Sequence, residues 1–335
     1  MKKLTIIFIA ALLCCGCGKA PQQTAKDIKI GLSIPTQREE RWVRDVQQLR
    51  KEAAALGVEL LVKVSENDTA RQLAQCEELL QQNISVLIVG PHDAAAAAEI
   101  VEQAVQKGVK VISYDRLILN ADVDLYVSFD NVKVGEIQAR YLTRLAPSGK
   151  YVVLSGAPTD NNAKLFRLGA LNILRPLVNE GRIKIVMDRA IPDWNPAQAT
   201  RLMEKALADN SGDIQAVLAP NDATAGGVIQ ALAMYKLAGT VPVSGQDSEA
   251  AAARRILAGT QSMTVFKDTR QLAAAAFGAA MSFAAGGEAP VNAEVSNGKI
   301  NVPSLLLEPI AVDGANLHKV LVNSGYLKHE DVYRN

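Results

Sequence analysis

The sequence predicts an α/β fold of two lobes, each a doubly wound parallel sheet, joined by a hinge of several chain segments. Three observations predict it. Short apolar runs recur at residues 28–34, 58–64, 86–89, 109–114, 151–154, 183–187, 216–219, 241–243 and 263–266, and continuous rather than alternating runs mark strands buried on both faces. Amphipathic stretches fall between them, the alternation of an α/β fold. The runs are also more than one ordinary sheet holds.

The elements follow in chain order. Lys2 and Lys3 precede an apolar run, LTIIFIAALL at 4–13, which is short of the ~20 residues a membrane-spanning helix needs and has the layout of a secretory signal. Cys14, Cys15, Gly16 and Cys17 come next. A small residue followed by Cys, just after an apolar core, resembles the lipobox of bacterial lipoproteins. Cys17 behind Gly16 is the expected lipid acceptor, with Cys14 and Cys15 as alternatives. Residues 1–17 are thus expected to be signal and lipobox, and the small, polar 18–26 a flexible tether. Lipid on Cys17 would anchor the chain without spanning the bilayer.

About 310 residues remain, by length one large or two medium domains. The formal charge of +1 gives no electrostatic case for nucleic acid. Cys76 is the one cysteine of the mature body, so no intrachain disulfide is expected there, and a body this large can fold without one. In the helix expected at 68–82, Asp68 is placed as N-cap, and Leu73, Cys76, Leu79 and Leu80 share one side. Cys76 is therefore expected in the core.

The strand-helix register restarts after Asp130, with a helix expected near 131–146 and Pro147-Ser148-Gly149 leading into a new strand. A long Ala-rich helix is expected at 271–285 and a late strand at 302–309. The expected division is 27–130 plus about 267–298 for the first lobe and 131–266 plus about 299–335 for the second.

Open parallel sheets bind ligands beyond the carboxyl ends of their strands, so the residues that follow each strand matter most. Arg41 and Trp42 follow the first strand; Asp115 and Arg116 follow the run ending at Tyr114. Asp160, Asn162, Lys164 and Arg167 lie past Leu154, and Asp188 and Trp194 past Met187. Asn221 and Asp222, then Gln246 and Asp247, and finally Lys267 follow the later strands. Carboxylates accept from hydroxyls while Arg, Lys and Asn donate to them, which is the chemistry a sugar requires. The two tryptophans fall one in each lobe, placed to cover the apolar faces of one ring when the hinge closes. Against this stands the plainer alternative of solvated arginines and core tryptophans.

The segments Glu40-Arg41-Trp42, Tyr114-Asp115-Arg116, Ser128-Phe129-Asp130-Asn131, the stretch from Asp160 to Arg167, Asn221-Asp222-Ala223-Thr224-Ala225-Gly226-Gly227 and Ser244-Gly245-Gln246-Asp247 together resemble the periplasmic D-xylose-binding proteins of ABC transporters. The likeness runs in order from about residue 28 to about 327. It implies the type I periplasmic binding protein fold, a monosaccharide ligand such as D-xylose, a transporter permease as partner, a monomer, no cofactor and no catalysis. It further implies stacking by Trp42 and Trp194 and hydroxyl bonding by Arg41, Asp115, Arg116, Asn162, Arg167, Asn221, Asp247 and Lys267. Asp222 is expected instead to cap the helix beginning at Ala223. The stretch at 34–37 departs from the more acidic one expected of the family.

Other classes lose on particulars. No G-x-x-x-x-G-K-[ST] occurs. His92, His318 and His329 lack zinc-ligand spacing. Residues 209–213 lack the terminal Glu of a calcium loop and read as a helix-to-strand turn. Asp115 and Asp247 as a glycosidase pair are disfavoured because Arg116 adjoins one of them and depresses its pKa. A sugar-responsive DNA-binding regulator would carry a helix-turn-helix where the export signal stands. A tethered sensor that docks on a membrane kinase or chemoreceptor is the alternative to transport.

Overall fold

The structure is a computed structural model that describes residues 28–333; the expected signal, the Cys17 acceptor and the tether lie outside the described residues. The first lobe opens with β1 (Lys29–Ile34), α1 (Glu40–Leu56), β2 (Glu59–Val64), α2 (Thr69–Leu80), β3 (Val86–Val89), α3 (Ala98–Gln106), β4 (Lys110–Tyr114) and β5 (Leu125–Phe129). The second holds α4 (Asn131–Leu145), β6 (Gly149–Ser155), α5 (Asn161–Asn179), β7 (Ile183–Ala190), α6 (Pro196–Asp209), β8 (Ala216–Leu218), α7 (Asp222–Met234), α8 (Ala250–Leu257) and β9 (Thr264–Phe266). The chain then returns through α9 (Thr269–Ala284), β10 (Ala293–Ser296) and β11 (Asn301–Leu307) before β12 (Ile310–Val312) and a short α10 (His329–Val332).

The first sheet has the order β10-β11-β5-β4-β3-β1-β2, parallel throughout except at the β10 edge. One face packs on α1 and α9, the other on α2 and α3. Burial on both faces is why β1, β3 and β5 read as unbroken apolar runs. In the second lobe β7-β6-β8 is parallel, and single bridges from Val217 to Val243 and from Gln246 to Val265 extend it to β9 and its antiparallel partner β12. Helices α6 and α7 cover one face, α4 and α5 the other. Glycines let α4 and α5 approach closely: a Cβ at Gly135 would stand 1.9 Å from the Phe166 carbonyl oxygen, and one at Gly169 1.9 Å from that of Val132.

Asp68 caps α2 as expected, accepting from the Arg71 N–H at 2.9 Å. Cys76 is fully buried, and burial pushes its thiol up to about 11. Residues 209–213 form the turn from α6 toward β8, with Ser211 and Gly212 at positive φ.

Two expectations need correction. Strand β11 runs parallel to β5, Ser304 beside Tyr126 through Leu307 beside Phe129. The tail therefore completes the first sheet before it crosses, and the lobe boundary expected at 298/299 falls after Leu307. The run at 241–243 meets its neighbours through isolated bridges rather than a continuous ladder.

The chain crosses between lobes three times, after Phe129, Phe266 and Leu307. The first two crossings end in aspartates that cap the following helix, Asp130 on the Lys133 N–H and Asp268 on the Arg270 N–H. The Asp130 N–H donates to the Leu307 carbonyl at 3.0 Å, tying the first crossing to the third. Among the described residues no helix is long and apolar enough to cross a membrane.

Candidate functional site

A small cavity, partly open to solvent, lies between the lobes at the carboxyl ends of both sheets. Its first-lobe wall is Glu39, Arg41, Trp42, Asp115 and Arg116. The facing wall is Asp160, Asn162, Phe166, Trp194, Asn221, Gln246 and Asp247, with Lys267 at the second crossing.

The first-lobe side is built on a buried chain of charges. The Tyr114 hydroxyl donates to Asp45 Oδ1 at 2.6 Å, and Arg41 Nη2 donates to Asp45 Oδ2 at 2.7 Å. Arg41 Nη1 then reaches Asp115 Oδ1 at 2.7 Å. Burial alone would push the Asp115 carboxyl up, but Arg41, Lys267 and Arg116 together hold it below the usual carboxylate range. The same burial works against the Arg41 charge, and Asp115, Asp45 and Asp247 more than offset it. Asp115 has φ 61°, a left-handed conformation uncommon for a residue with a Cβ, and its carbonyl accepts from Ser128 Oγ at 2.6 Å, Asn162 Nδ2 at 2.9 Å and Tyr126 Oη at 3.0 Å.

Both tryptophans sit against a glycine directly after a central strand. A Cβ at Gly90, after β3, would lie 3.2 Å from the Trp42 ring, and one at Gly156, after β6, 2.1 Å from that of Trp194. The Arg41 guanidinium stands 4.3 Å from the Trp42 ring centroid and that of Arg116 5.2 Å, a distance at which cation–π attraction holds. Trp194 meets Phe166 edge-on at 6.4 Å. It ends a one-turn helical segment in which Asp193 and Trp194 both have left-handed φ, 53° and 55°.

Ion pairs cross or line the cavity: Arg116 Nε to Asp160 Oδ2 at 2.8 Å and Lys267 Nζ to Asp247 Oδ1 at 2.9 Å. The lining thus sets four carboxylates against three cations, close to neutral as a whole. Several polar atoms are nevertheless buried without a hydrogen bond among the described residues: Glu39 Oε2, Asp115 Oδ1, Trp194 Nε1, Gln246 Oε1 and Asp247 Oδ1. Asp115 Oδ1 and Asp247 Oδ1 touch cations without hydrogen-bond alignment, so each still has a lone pair for a donor. Buried polar groups are costly unless satisfied, and these converge on the one cavity.

A family model described as a periplasmic binding protein domain matches residues 30–288. The chain belongs to the periplasmic binding protein family. It is 43% identical over 309 residues to a D-xylose-binding periplasmic protein of Haemophilus influenzae, covering 92% of this chain and 93% of that one. A D-xylose-binding periplasmic protein of Escherichia coli is 42% identical over 308 residues, with the same coverage. Among solved structures, a carbohydrate transporter solute-binding protein from Chloroflexus aurantiacus in complex with D-glucose gives a TM-score of 0.86 at 33% identity, over 91% of this chain and 98% of that one. The two-lobed fold expected from the sequence is the fold of these neighbours.

In this periplasmic binding protein the cavity brings together Arg41, Trp42, Asp115, Arg116, Asn162, Trp194, Asn221, Asp247 and Lys267. Arg167 is not brought in. Its guanidinium turns to Asp188 on β7, Nε to Oδ1 at 2.9 Å, and its side chain is 41% exposed. Asn162 lines the wall but is largely committed to Asp115, Asn131 and Tyr126. The expected cap by Asp222 is also corrected. Asn221 caps α7, accepting from the Thr224 N–H at 3.0 Å, while the fully buried Asp222 accepts from Gln261 Nε2 at 2.7 Å, Thr264 Oγ1 at 2.9 Å and the Glu249 N–H at 3.1 Å. Phe166 is a wall residue that strand-end reasoning did not single out, and Glu39, which follows the first strand, was not placed in the site. Phe166 carried a signal, one helical turn past Asn162 on α5.

Proposed function

We propose that this binding protein captures D-xylose in the interlobe cavity and delivers it to the permease of an ABC transporter. The observation that carries the reading is the convergence of near-balanced charge, unsatisfied polar atoms and one tryptophan from each lobe on a single small cavity. A neutral polyol fits such a lining better than an ion, because the charges of the wall nearly cancel. The relatives named for D-xylose add support for a pentopyranose. Asp115 Oδ1, Asp247 Oδ1 and Gln246 Oε1 would accept sugar hydroxyls, and Arg41, Arg116, Lys267, Asn221 and Trp194 Nε1 would donate. Trp42 and Trp194 would cover the ring faces.

Sugar bonded to both walls favours the closed hinge, and the closed form is what the permease would read. A hydroxyl of the wrong orientation would leave a buried group unpaired, so discrimination between epimers should be sharp. The family is one of binding and transport, not catalysis. We further propose that lipid on Cys17 holds the protein at the outer face of the cytoplasmic membrane as a monomer; metabolic labelling with a fatty acid should mark the wild-type chain and leave Cys17→Ser unmarked.

The deciding experiment is calorimetric titration of the body from about residue 20 with xylose, ribose, arabinose, glucose and galactose. One-to-one binding tightest for xylose is expected. Tighter binding of another sugar would replace the ligand and keep the cavity, and no heat with any of them would remove the sugar reading.

A further inference from the structure

We propose that Glu40 latches the two lobes across the mouth of the cleft without touching the sugar, and that Glu249 makes the latch sensitive to pH. The inference builds on the sugar-binding reading above. Glu40 begins α1 in the first lobe and lies outside the cavity lining. Its Oε2 accepts the N–H of Ala250 at 3.1 Å, the first residue of α8 in the second lobe. That helix lacks a capping side chain of its own, since Glu249 at its N-cap makes no side-chain cap. A free N–H at a helix start, where the helix dipole is positive, favours an anion. Here the other lobe supplies it, and only while the cleft is closed. Arg44, one turn along α1, pairs with the second oxygen of Glu40 and keeps the side chain aimed. On the other side of the mouth Arg38 donates to the Asp193 carbonyl, next to Trp194.

Glu249 lies beneath this contact and is 9% exposed. It faces Glu40 from α1, Asp222 from α7 and Asp247 from its own loop, with Arg255 of α8 as the opposing cation. Burial first, and then those three carboxylates, raise its carboxyl to about 8; burial likewise raises its neighbour Asp222 to about 7. Opening the cleft withdraws Glu40 and lets water reach Glu249, so the open form holds this proton less firmly. Closure is therefore most favoured where Glu249 is protonated in both forms, and that advantage is lost as pH rises through about 8.

The test is the rate of sugar release, followed by tryptophan fluorescence after rapid dilution at several pH values from about 6 to about 9. It uses D-xylose or whichever sugar of the panel binds most tightly. The wild type should release faster above about pH 8, and Glu249→Gln should remain slow across the range. Glu40→Ala should release about tenfold faster at neutral pH and leave the ranking of sugars unchanged, with a pH dependence reduced in part by the loss of one of the three carboxylates facing Glu249. An unchanged release rate in Glu40→Ala, or a wild-type pH profile in Glu249→Gln, would overturn the proposal. If no sugar binds, the sugar reading falls by itself. Small-angle scattering of the unliganded proteins then decides the latch, with a larger radius for Glu40→Ala than for wild type supporting it and equal radii sinking it.

Discussion

The two lobes carry the same kind of wall on unequal supports. The first lobe rests on a seven-stranded sheet, and its charged residues are fixed by the buried chain from Tyr114 through Asp45 and Arg41 to Asp115. The second lobe has a three-stranded ladder, single bridges and a two-stranded pair. Trp194, Asp247 and Ser248 there sit in left-handed conformations that persist only where the surroundings over-determine them. What the lobes share is the seat of each tryptophan, a glycine immediately after a central strand. One wall is thus a rigid charged anchor and the other is held in shape by local contacts. Changes to the first should act through unpaired charge, and changes to the second through misplaced side chains.

Removing Asp115 should have the largest effect. Asp115→Ala leaves Arg41 short of a buried partner, and calorimetry should show at least a hundredfold weaker sugar binding, about 2.7 kcal/mol. A loss under fivefold would break the picture of a charged anchor. Trp194→Ala should weaken binding by ten- to a hundredfold, roughly 1.4 to 2.7 kcal/mol, and abolish most of the sugar-induced fluorescence change; a full response would leave Trp194 outside the site. Gly156→Ala should act like a milder Trp194 variant, because the new Cβ must displace the ring, with the loss in affinity accompanied by a lower melting temperature. Asp247→Ala should cost about tenfold, ~1.4 kcal/mol, less than Asp115→Ala because Lys267, deprived of Asp247, still has Asp115 as a neighbouring carboxylate. Equal losses for the two aspartates would erase the distinction between the walls. Arg167→Ala should change affinity by less than twofold, since its partner is the half-exposed Asp188 and exposed ion pairs contribute little.

Much of this was legible in the chain because buried parallel strands leave apolar runs, and the groups that follow them are placed by topology rather than by detail. That logic located the cavity wall from Arg41 to Lys267. It passed over β5, where the run 125–129 includes Tyr126 and Ser128, whose hydroxyls serve the Asp115 carbonyl. It also passed over β10, a half-exposed antiparallel edge with a weak pattern. Arg167 was misplaced because spacing puts a long side chain on a helix face but does not choose its partner across the sheet. The cap of α7 was assigned to Asp222 instead of Asn221 for a related reason. Both can cap a helix, and the decision lay with Gln261 and Thr264, some forty residues away in the chain.

The three crossings have a consequence for the order in which the protein takes shape. Helix α9 covers the face of the first sheet formed by β1 and β3, and β11 flanks β5, yet both are made after the stretch of the second lobe from α4 to β9. That lobe in turn waits for β12 to pair with β9. A chain emerging from its amino end cannot finish the first half before residue 307 or the second before residue 312, so neither lobe can set prematurely while the rest is still being synthesised. Cooperative completion is built into the connectivity, and a truncation that removes only the last thirty residues should leave two unfinished halves rather than one intact lobe.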